Sequence, residues 1–150
     1  MDKITQFRNV YFFLSNFYPS PVYYDGSKYS TVEHAYQAAK TTDQHARVGI
    51  RNLPNPGDAK RMGRRVVCRL DWNEVKLDVM YDLVKQKFSS DEVLQARLLA
   101  TYDTELIEGN YWHDTFWGVD LRTGKGENHL GKILMWVREE LKNLRDTFSS

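Results

Sequence analysis

The sequence has little cysteine, almost no net charge and no long apolar run. Its single cysteine, Cys68, excludes an internal disulfide framework and is typical of a reducing compartment. Lysine and arginine number 21 against 20 acidic residues, so the basic excess of a general nucleic-acid or membrane-surface binder is missing. No apolar run approaches the roughly 18 residues of a membrane helix, and the start of the chain lacks the basic region of a signal peptide. We therefore expect a cytoplasmic protein with no membrane partner.

The length of 150 residues predicts a single globular domain over residues 1–150. Apolar residues at helical spacing predict helices over about 31–40, 44–51, 59–66 and 90–100, a longer one opened by Trp72, and a last one through 130–148. Strands are few: a hairpin over 22–30 with an Asp-Gly turn, and a segment at 104–107. The predicted fold class is α+β, mainly α-helical with a few short strands.

The sequence also predicts the residues that cap the helices, and the segments that lie outside helices and strands. Ser30-x-x-Glu33 and Ser89-x-x-Glu92 are predicted capping boxes, Asp58 can cap the helix that follows it, and Asn128 is the simplest cap for the last helix. Residues 108–128 form a long loop, which is either functional or partly structured. Residues 149–150 are expected to be a frayed tail.

Aromatic residues are concentrated in two short stretches. Of the 20 aromatic residues, ten lie in the first 36 positions and four lie between positions 111 and 117. A core built from large rings explains most of them, because each ring buries much apolar area. The alternative is a pocket that stacks a flat ligand, in which two stretches distant in sequence meet across one cleft.

Several chemistries lack the residues that they need. The four histidines show no i, i+4 pairing, and one cysteine cannot complete a zinc site, so no metal is expected. There is no phosphate-binding P-loop, and Gly124-x-Gly126 lacks the preceding buried strand and the third glycine of a dinucleotide site. Neither Ser-His-Asp nor Cys-His catalysis has a local signature.

The helix predicted over 31–40 places three functional groups along one edge. At 100° per residue, Glu33, Gln37 and Lys40 fall within roughly 60° of one another beside an apolar stripe, and the Lys40 amine leans back toward Glu33. His34 and Thr41 are expected to point to open water. Two interpretations stay open: a site at the rim of the core, or a capping-box glutamate with a lysine that complements the helix dipole.

Four cations follow within six residues. A solvated helix face is one interpretation, and a phosphate clamp beside a ligand pocket is the other. The helix start at Asn128, next to a glycine-rich loop, is also a natural anion site. The four cations are Lys60, Arg61, Arg64 and Arg65.

Five segments, in this order along the chain, resemble the motifs of the NADAR family, also called the YbiA-like family. The first two are residues 13–21 (FLSNFYPSP) and 31–40 (TVEHAYQAAK). Asp71-Trp72 with Val79-Met80 resembles the family's third motif. The last two are residues 116–118 (FWG) and 126–135 (GENHLGKILM), and the resemblance as a whole covers about 13 to 141.

The resemblance implies a mostly helical α+β domain that handles ribosylated nucleotides. Characterised members of the family are N-glycosidases. Some cleave the ribosylamine intermediates of early riboflavin synthesis and release ribose 5-phosphate. Others remove ADP-ribose from modified guanine in nucleic acid, with a lysine that forms a Schiff base to the opened ribose. The resemblance implies no metal and no other cofactor.

Carried over residue by residue, the resemblance makes Glu33 and Lys40 the catalytic residues. Cleavage of a C1′–N bond builds positive charge on the ribose, which a carboxylate can stabilise or use to activate water. An amine that attacks C1′ splits the step into two, and Lys40 would need a lowered pKa for this. The substrate-binding positions are Asn16, Phe17, Tyr36, Gln37, Trp72, Asp114, Trp117, Gly118 and Asn128.

The substrate and the class of function have ranked alternatives. A small phosphorylated ribosylamine of the riboflavin pathway is the first choice, because the overall charge is nearly neutral. Removal of ADP-ribose from nucleic acid is the second. A non-catalytic sensor of NAD or ADP-ribose needs neither Glu33 nor Lys40, and a helical protein–protein interaction module leaves the aromatic residues 111–117 without a ligand. We expect a monomer or a small homo-oligomer.

Overall fold

The computed structural model describes residues 2–149, which divide into two compact units. The central unit comprises residues 16–87, and the terminal unit combines the first 15 residues with those from 88 onward. A 3-10 helix covers Asn9–Leu14. The α-helices are α1 (Val32–Ala39), α2 (Gln44–Arg51), α3 (Pro56–Gly63), α4 (Trp72–Ser89), α5 (Glu92–Leu99) and α6 (His129–Ser149). The strands are β1 (Lys3–Ile4), β2 (Val22–Tyr24), β3 (Ser27–Tyr29), β4 (Glu105–Leu106), β5 (Gly109–Asn110) and β6 (Val119–Asp120).

These elements confirm the α+β class with a helical majority. The strands form three two-stranded sheets. The predicted hairpin is confirmed as the antiparallel pair β2–β3, with Asp25 at φ 49° and Gly26 at φ 80° in its turn. Both left-handed values are those that a type I′ turn requires.

The N-cap of the central helix α1 lies one residue later than predicted, at Thr31 and not at Ser30. Thr31 is the N-cap, and its hydroxyl accepts the His34 backbone N–H at 3.0 Å. The predicted capping box of Ser30 and Glu33 is wrong, because the Glu33 N–H instead donates to the carbonyl of Asn16 at 3.1 Å. The Asn16 carbonyl therefore accepts the hydrogen bond that the Ser30 hydroxyl would accept in a capping box.

All eight residues of α1 are buried. Thr41, just after the helix, is buried too, so the expectation that His34 and Thr41 face open water is wrong. His34 Nδ1 lies 2.7 Å from the Thr31 hydroxyl and Nε2 lies 3.0 Å from the carbonyl of Leu53. A buried histidine with both ring nitrogens hydrogen-bonded has a structural use. It connects α1 to the segment that follows α2.

Of the other central helices, only α3 is displaced from its prediction. The predictions of α2 and of the start of α4 at Trp72 are confirmed. Asn55, not Asp58, caps α3, because its side chain accepts the Asp58 N–H and Pro56 occupies the first helical position. As a result α3 starts and ends about three residues before the predicted helix.

In the terminal unit, β1 and β4 pair in parallel, which confirms the strand predicted at 104–107. Residues 108–128 hold the parallel pair β5–β6, so this long segment is partly structured. Asp91 caps α5, and the predicted capping box at Ser89 is wrong because α4 continues through that residue. Leu144 and Phe148 of α6 are 53% and 81% exposed, so its apolar face ends near Leu141.

The last helix includes Ser149, which was expected to belong to a frayed tail, and Ser150 lies outside the described residues. Within residues 2–149, every helix is too short or too polar to cross a bilayer.

A buried lysine on α4 should make stability depend on pH. Lys87 is 1% exposed, its Nζ lies 5.4 Å from the ring centroid of Tyr18, and burial lowers its pKa to about 7. Between pH 7 and about 10 the unfolded chain holds one more proton than the folded chain at this site. The free energy of unfolding should therefore rise with pH in this window by about 1.4 kcal/mol per pH unit from this group, and stay flat below it.

Denaturant unfolding of the wild type and of Lys87→Met at several pH values checks this prediction. The difference in unfolding free energy between the two proteins should change with pH across the window. Lys28→Met, at an exposed lysine of β3, is the control and should run parallel to the wild type. Parallel curves for Lys87→Met as well would contradict the prediction.

Candidate active site

Glu33 and Gln37 lie one turn apart on α1 and form a buried pair. Gln37 Nε2 donates to Glu33 Oε2 at 2.6 Å, and the two residues are 4% and 8% exposed respectively. Residues at i and i+4 share a helix face, so the fold of α1 alone brings the two side chains together. Gln37, predicted to bind substrate, uses its amide nitrogen to fix one oxygen of the carboxylate.

Lys40 is the C-cap of α1, and its side chain lies over the ring of Tyr36, which in turn contacts Trp72. Its Nζ lies 5.5 Å from the ring centroid of Tyr36, and the centroids of Tyr36 and Trp72 are 5.2 Å apart with the rings tilted by 54°. Tyr36 and Trp72 are buried, while Lys40 is half-buried. Together with Glu33 and Gln37, these residues are the part of the predicted site that the central unit gathers around α1.

The Lys40 amine has the lowered pKa that a nucleophilic lysine requires. Burial lowers this pKa below its usual range, and the charges of Arg64 and Lys60 lower it further. Glu33 and Cys68 act in the opposite direction and raise it. The amine therefore loses its proton more easily than an exposed lysine.

The cluster of four cations divides into two groups. Lys60 on α3 and Arg64 at its C-cap are the two whose charges act on Lys40. Arg61 forms an ion pair with Asp58 within α3, and both Arg64 and Arg65 are exposed. Because their charges act on Lys40, Lys60 and Arg64 are the two cations to which the phosphate-clamp interpretation applies first.

Asn16 and Phe17 lie in the segment that enters α1. Asn16 is buried, its Nδ2 lies 3.4 Å from the sulfur of Met80 on α4, and its carbonyl accepts the Glu33 N–H. Asn16 therefore fixes the first turn of α1 in addition to any contact with substrate. Phe17 follows it and is half-buried.

In the terminal unit, Asp114 shapes the turn that carries Trp117. Its Oδ1 accepts the backbone N–H groups of Phe116 at 3.0 Å and Trp117 at 2.9 Å. Asn110 is fully buried and exchanges two hydrogen bonds with the Asp114 backbone, while its Nδ2 also donates to a carboxylate oxygen of Glu108. Sequence reasoning missed Asn110, because a loop asparagine without helical or strand periodicity gives no signal of such a role.

Trp117 is half-buried and belongs to a cluster of three rings, in which Phe116 and His129 also contact each other with centroids 4.5 Å apart. Its ring centroid is 4.8 Å from that of Phe116 at 85° and 6.4 Å from that of His129. Gly118 follows it and is buried, and a Cβ there would overlap the side chain and the carbonyl of Glu108. Gly118 therefore allows close backbone packing next to Trp117.

Asn128 begins α6 through its backbone, but its side chain does not cap the helix as predicted. It has a left-handed φ of 54°, and its carbonyl accepts the N–H of Lys132 at 3.0 Å. Its Oδ1 accepts the N–H of Glu108 and its Nδ2 donates to the carbonyl of Leu106, both at 2.9 Å. The side chain therefore ties the start of α6 to β4 and the residues that follow it.

The predicted site residues thus fall into two groups, one in each unit. The terminal group lies along residues 108–128 and comprises Asp114, Trp117, Gly118 and Asn128. Within the part of the chain that the structure describes, no cluster of three or more histidine, cysteine or acidic residues could hold a metal ion.

The chain belongs to the NADAR family, because a family model described as NADAR domain matches residues 4–142. N-glycosidase YbiA of Escherichia coli (strain K12) is 41% identical over 129 residues, which are 85% of this chain and 79% of that protein. Riboflavin biosynthesis protein VVA0006 of Vibrio vulnificus (strain YJ016) is 40% identical over 132 residues. This match covers 87% of the present chain but only 35% of the length of the Vibrio protein.

The fold agrees with a solved structure of the family. The NMR structure of E. coli YbiA superposes with a TM-score of 0.84 at 36% sequence identity, and the match covers 97% of this chain and 89% of that chain. The resemblance found in the sequence and the α+β class are therefore confirmed.

Proposed function

We propose that this protein is an N-glycosidase that cleaves the C1′–N bond of a phosphorylated ribosylamine, an early intermediate of riboflavin synthesis, and releases the base and ribose 5-phosphate. The group on α1 carries this proposal: a buried carboxylate held by Gln37, followed by Lys40 with a lowered pKa. Similarity to proteins named N-glycosidase and riboflavin biosynthesis protein supports it. The family model spans both compact units, which supports the view that they form one NADAR domain.

Glu33 has the chemistry to assist bond cleavage directly. As the C1′–N bond breaks, its electron pair leaves with the base nitrogen and positive charge develops on the ribose ring. The carboxylate stabilises this charge or takes a proton from the water that adds to C1′. The proton ends on the departing nitrogen, so base and ribose phosphate are the products.

Lys40 offers a second route to the same products. Its neutral amine attacks C1′, the bond to the base nitrogen breaks, and the opened ribose remains attached as an imine. Water then hydrolyses the imine and returns the amine. The lowered pKa of Lys40 favours this route because only the unprotonated amine is a nucleophile.

Lys60 and Arg64 are the proposed binders of the substrate phosphate. They act on Lys40 through their charge, so an anion held between them would lie near the reacting atom. Asn16 and Phe17, which belong to the same unit as Glu33 and Lys40, are proposed to contact the substrate as well.

The partner is proposed to be a small molecule and the location the cytoplasm. The exposed free thiol of Cys68 and the near-zero net charge support these two proposals. We propose that the protein acts as a monomer or a small homo-oligomer.

Incubation with a panel of ribosylated metabolites and with ADP-ribosylated DNA tests the proposal, with released base detected by mass spectrometry. Release from a phosphorylated ribosylamine is the expected result. Release only from DNA would support removal of ADP-ribose from guanine, which the lowered pKa of Lys40 also suits. Binding of NAD or ADP-ribose without any release would overturn catalysis and indicate a sensor.

Trp117 should act on substrate affinity more than on stability. The indole is only half-buried, and a large flat ring of this kind can stack on a base. Trp117→Phe should keep partial activity, and Trp117→Ala should raise KM strongly. If the ring serves only the core, Trp117→Ala should instead cost about 3–5 kcal/mol of stability. Thermal melts beside kinetics separate the two, and a large fall in Tm with unchanged KM in the folded fraction rejects stacking.

A further inference from the structure

Gly63, the last residue of α3, is the point at which α3 approaches the Gln37 side chain. A Cβ at this glycine would lie 2.6 Å from Cδ and 3.2 Å from Cβ of Gln37, and it would overlap the amide oxygen. Gly63 is buried and is not among the glycines with a left-handed backbone. The glycine is therefore required for space and not for an unusual φ.

Gln37 connects this approach to the carboxylate of Glu33. Its Nε2 donates to Glu33, whereas its Oε1, against Gly63, is a buried oxygen without a hydrogen-bond partner among residues 2–149. An unpaired buried oxygen costs free energy, and such groups in native proteins call for an explanation. With only one hydrogen bond, the amide depends on packing for its placement, and Gly63 is one of the residues that pack against it.

The same approach places the two cations that act on Lys40. Lys60 lies one turn before Gly63 on α3, and Arg64 directly follows it. Any movement of α3 away from α1 would therefore carry both charges away from the Lys40 amine. The contact between Gly63 and Gln37 thus affects the surroundings of both Glu33 and Lys40.

We propose that Gly63 is a positioning residue for the glycosidase reaction: it lets α3 close on Gln37, which holds the Glu33 carboxylate in its working orientation and keeps Lys60 and Arg64 beside Lys40. This inference rests on the proposed function. It adds a residue that touches neither the carboxylate nor the amine.

Gly63→Ala tests the inference. The added methyl group should displace the Gln37 amide and α3, and kcat should fall by roughly 10-fold to 100-fold, as expected for a misplacement of about 1 Å. The limb of the pH profile that follows Lys40 should move to higher pH, because the two cations that lower its pKa move away. The position of that limb does not depend on how much enzyme is folded, so it separates positioning from a loss of folded protein.

Two further variants complete the experiment. Gly49→Ala is the matched control, because Gly49 also lies in a helix but a Cβ there meets nothing within 4 Å, and it should show wild-type kinetics and an equal or higher Tm. Gln37→Asn shortens the amide so that it no longer spans from Gly63 to Glu33, and it should lose kcat as Gly63→Ala does. In a Gln37→Ala background, Gly63→Ala should cost far less than in the wild type.

The possible failures have different signatures. A wild-type protein that releases no base from any substrate overturns the proposed function and this inference with it. An active wild type whose Gly63→Ala variant has the kcat and pH limb of Gly49→Ala overturns the inference alone. If Gly63→Ala does not fold, wild-type kinetics in Gln37→Asn overturns the inference by itself.

Discussion

Replacing Glu33 by glutamine should abolish turnover and leave a folded protein. The side-chain oxygen of the new glutamine can still accept the hydrogen bond from Gln37 Nε2, so the buried pair on α1 persists. The variant loses the negative charge that would stabilise a positive ribose or take a proton from water. We expect a loss of at least about 10²-fold in kcat and a change in stability well under ~1 kcal/mol.

The measurement combines base release with a thermal melt of the same preparation. Glu74→Gln, at an exposed glutamate in the first turn of α4, is the control and should retain full activity. Activity of Glu33→Gln within twofold of the wild type would exclude a catalytic role for this carboxylate.

Replacing Lys40 by arginine should likewise give a folded and inactive protein. A lysine that only complements the helix dipole contributes about 0.3–1 kcal/mol and tolerates arginine. A nucleophilic lysine does not, because the guanidinium stays protonated and cannot form an imine. The lowered pKa of Lys40 is the reason to expect the second case, which this variant tests.

Borohydride added during turnover should trap a ribosyl adduct on Lys40, visible by peptide mass mapping. Full activity of Lys40→Arg would exclude the imine route. An inactive Lys40→Arg with no trapped adduct in the wild type would leave Lys40 an electrostatic role and assign the chemistry to water activated by Glu33. An adduct on Lys87, a second amine whose pKa burial lowers, would move the nucleophile to α4.

Helix positions could be predicted from the sequence, but their caps could not. Several helix starts offer neighbouring residues that can all cap, such as Ser30 and Thr31, or Ser89 and Asp91. Which one does so depends on where the chain enters the helix, and packing decides that. Asn16 shows this, because its carbonyl takes the Glu33 N–H and leaves the predicted capping box without its donor.

The part of the site within one helix was equally accessible to prediction. Glu33 and Gln37 meet because helical spacing alone puts them on one face, and their hydrogen bond follows from that. The contributions of Gly63 and Asn110 were not accessible, because each depends on a contact with another element. A periodicity argument also cannot show that His34 is buried. Such an argument assumes one solvent-exposed and one buried face, whereas α1 has no solvent-exposed face.

The burial of α1 on every side explains why its family motif is a run of consecutive residues. In an amphipathic helix, the solvent-facing residues tolerate substitution, so the residues that define a family motif are spaced at intervals of three and four. Along Val32–Ala39 no position is of that kind, because every residue is buried. A substitution at any of these eight positions therefore has to be accommodated by the packing around α1, including at the two positions, Glu33 and Gln37, that are proposed to take part in the reaction.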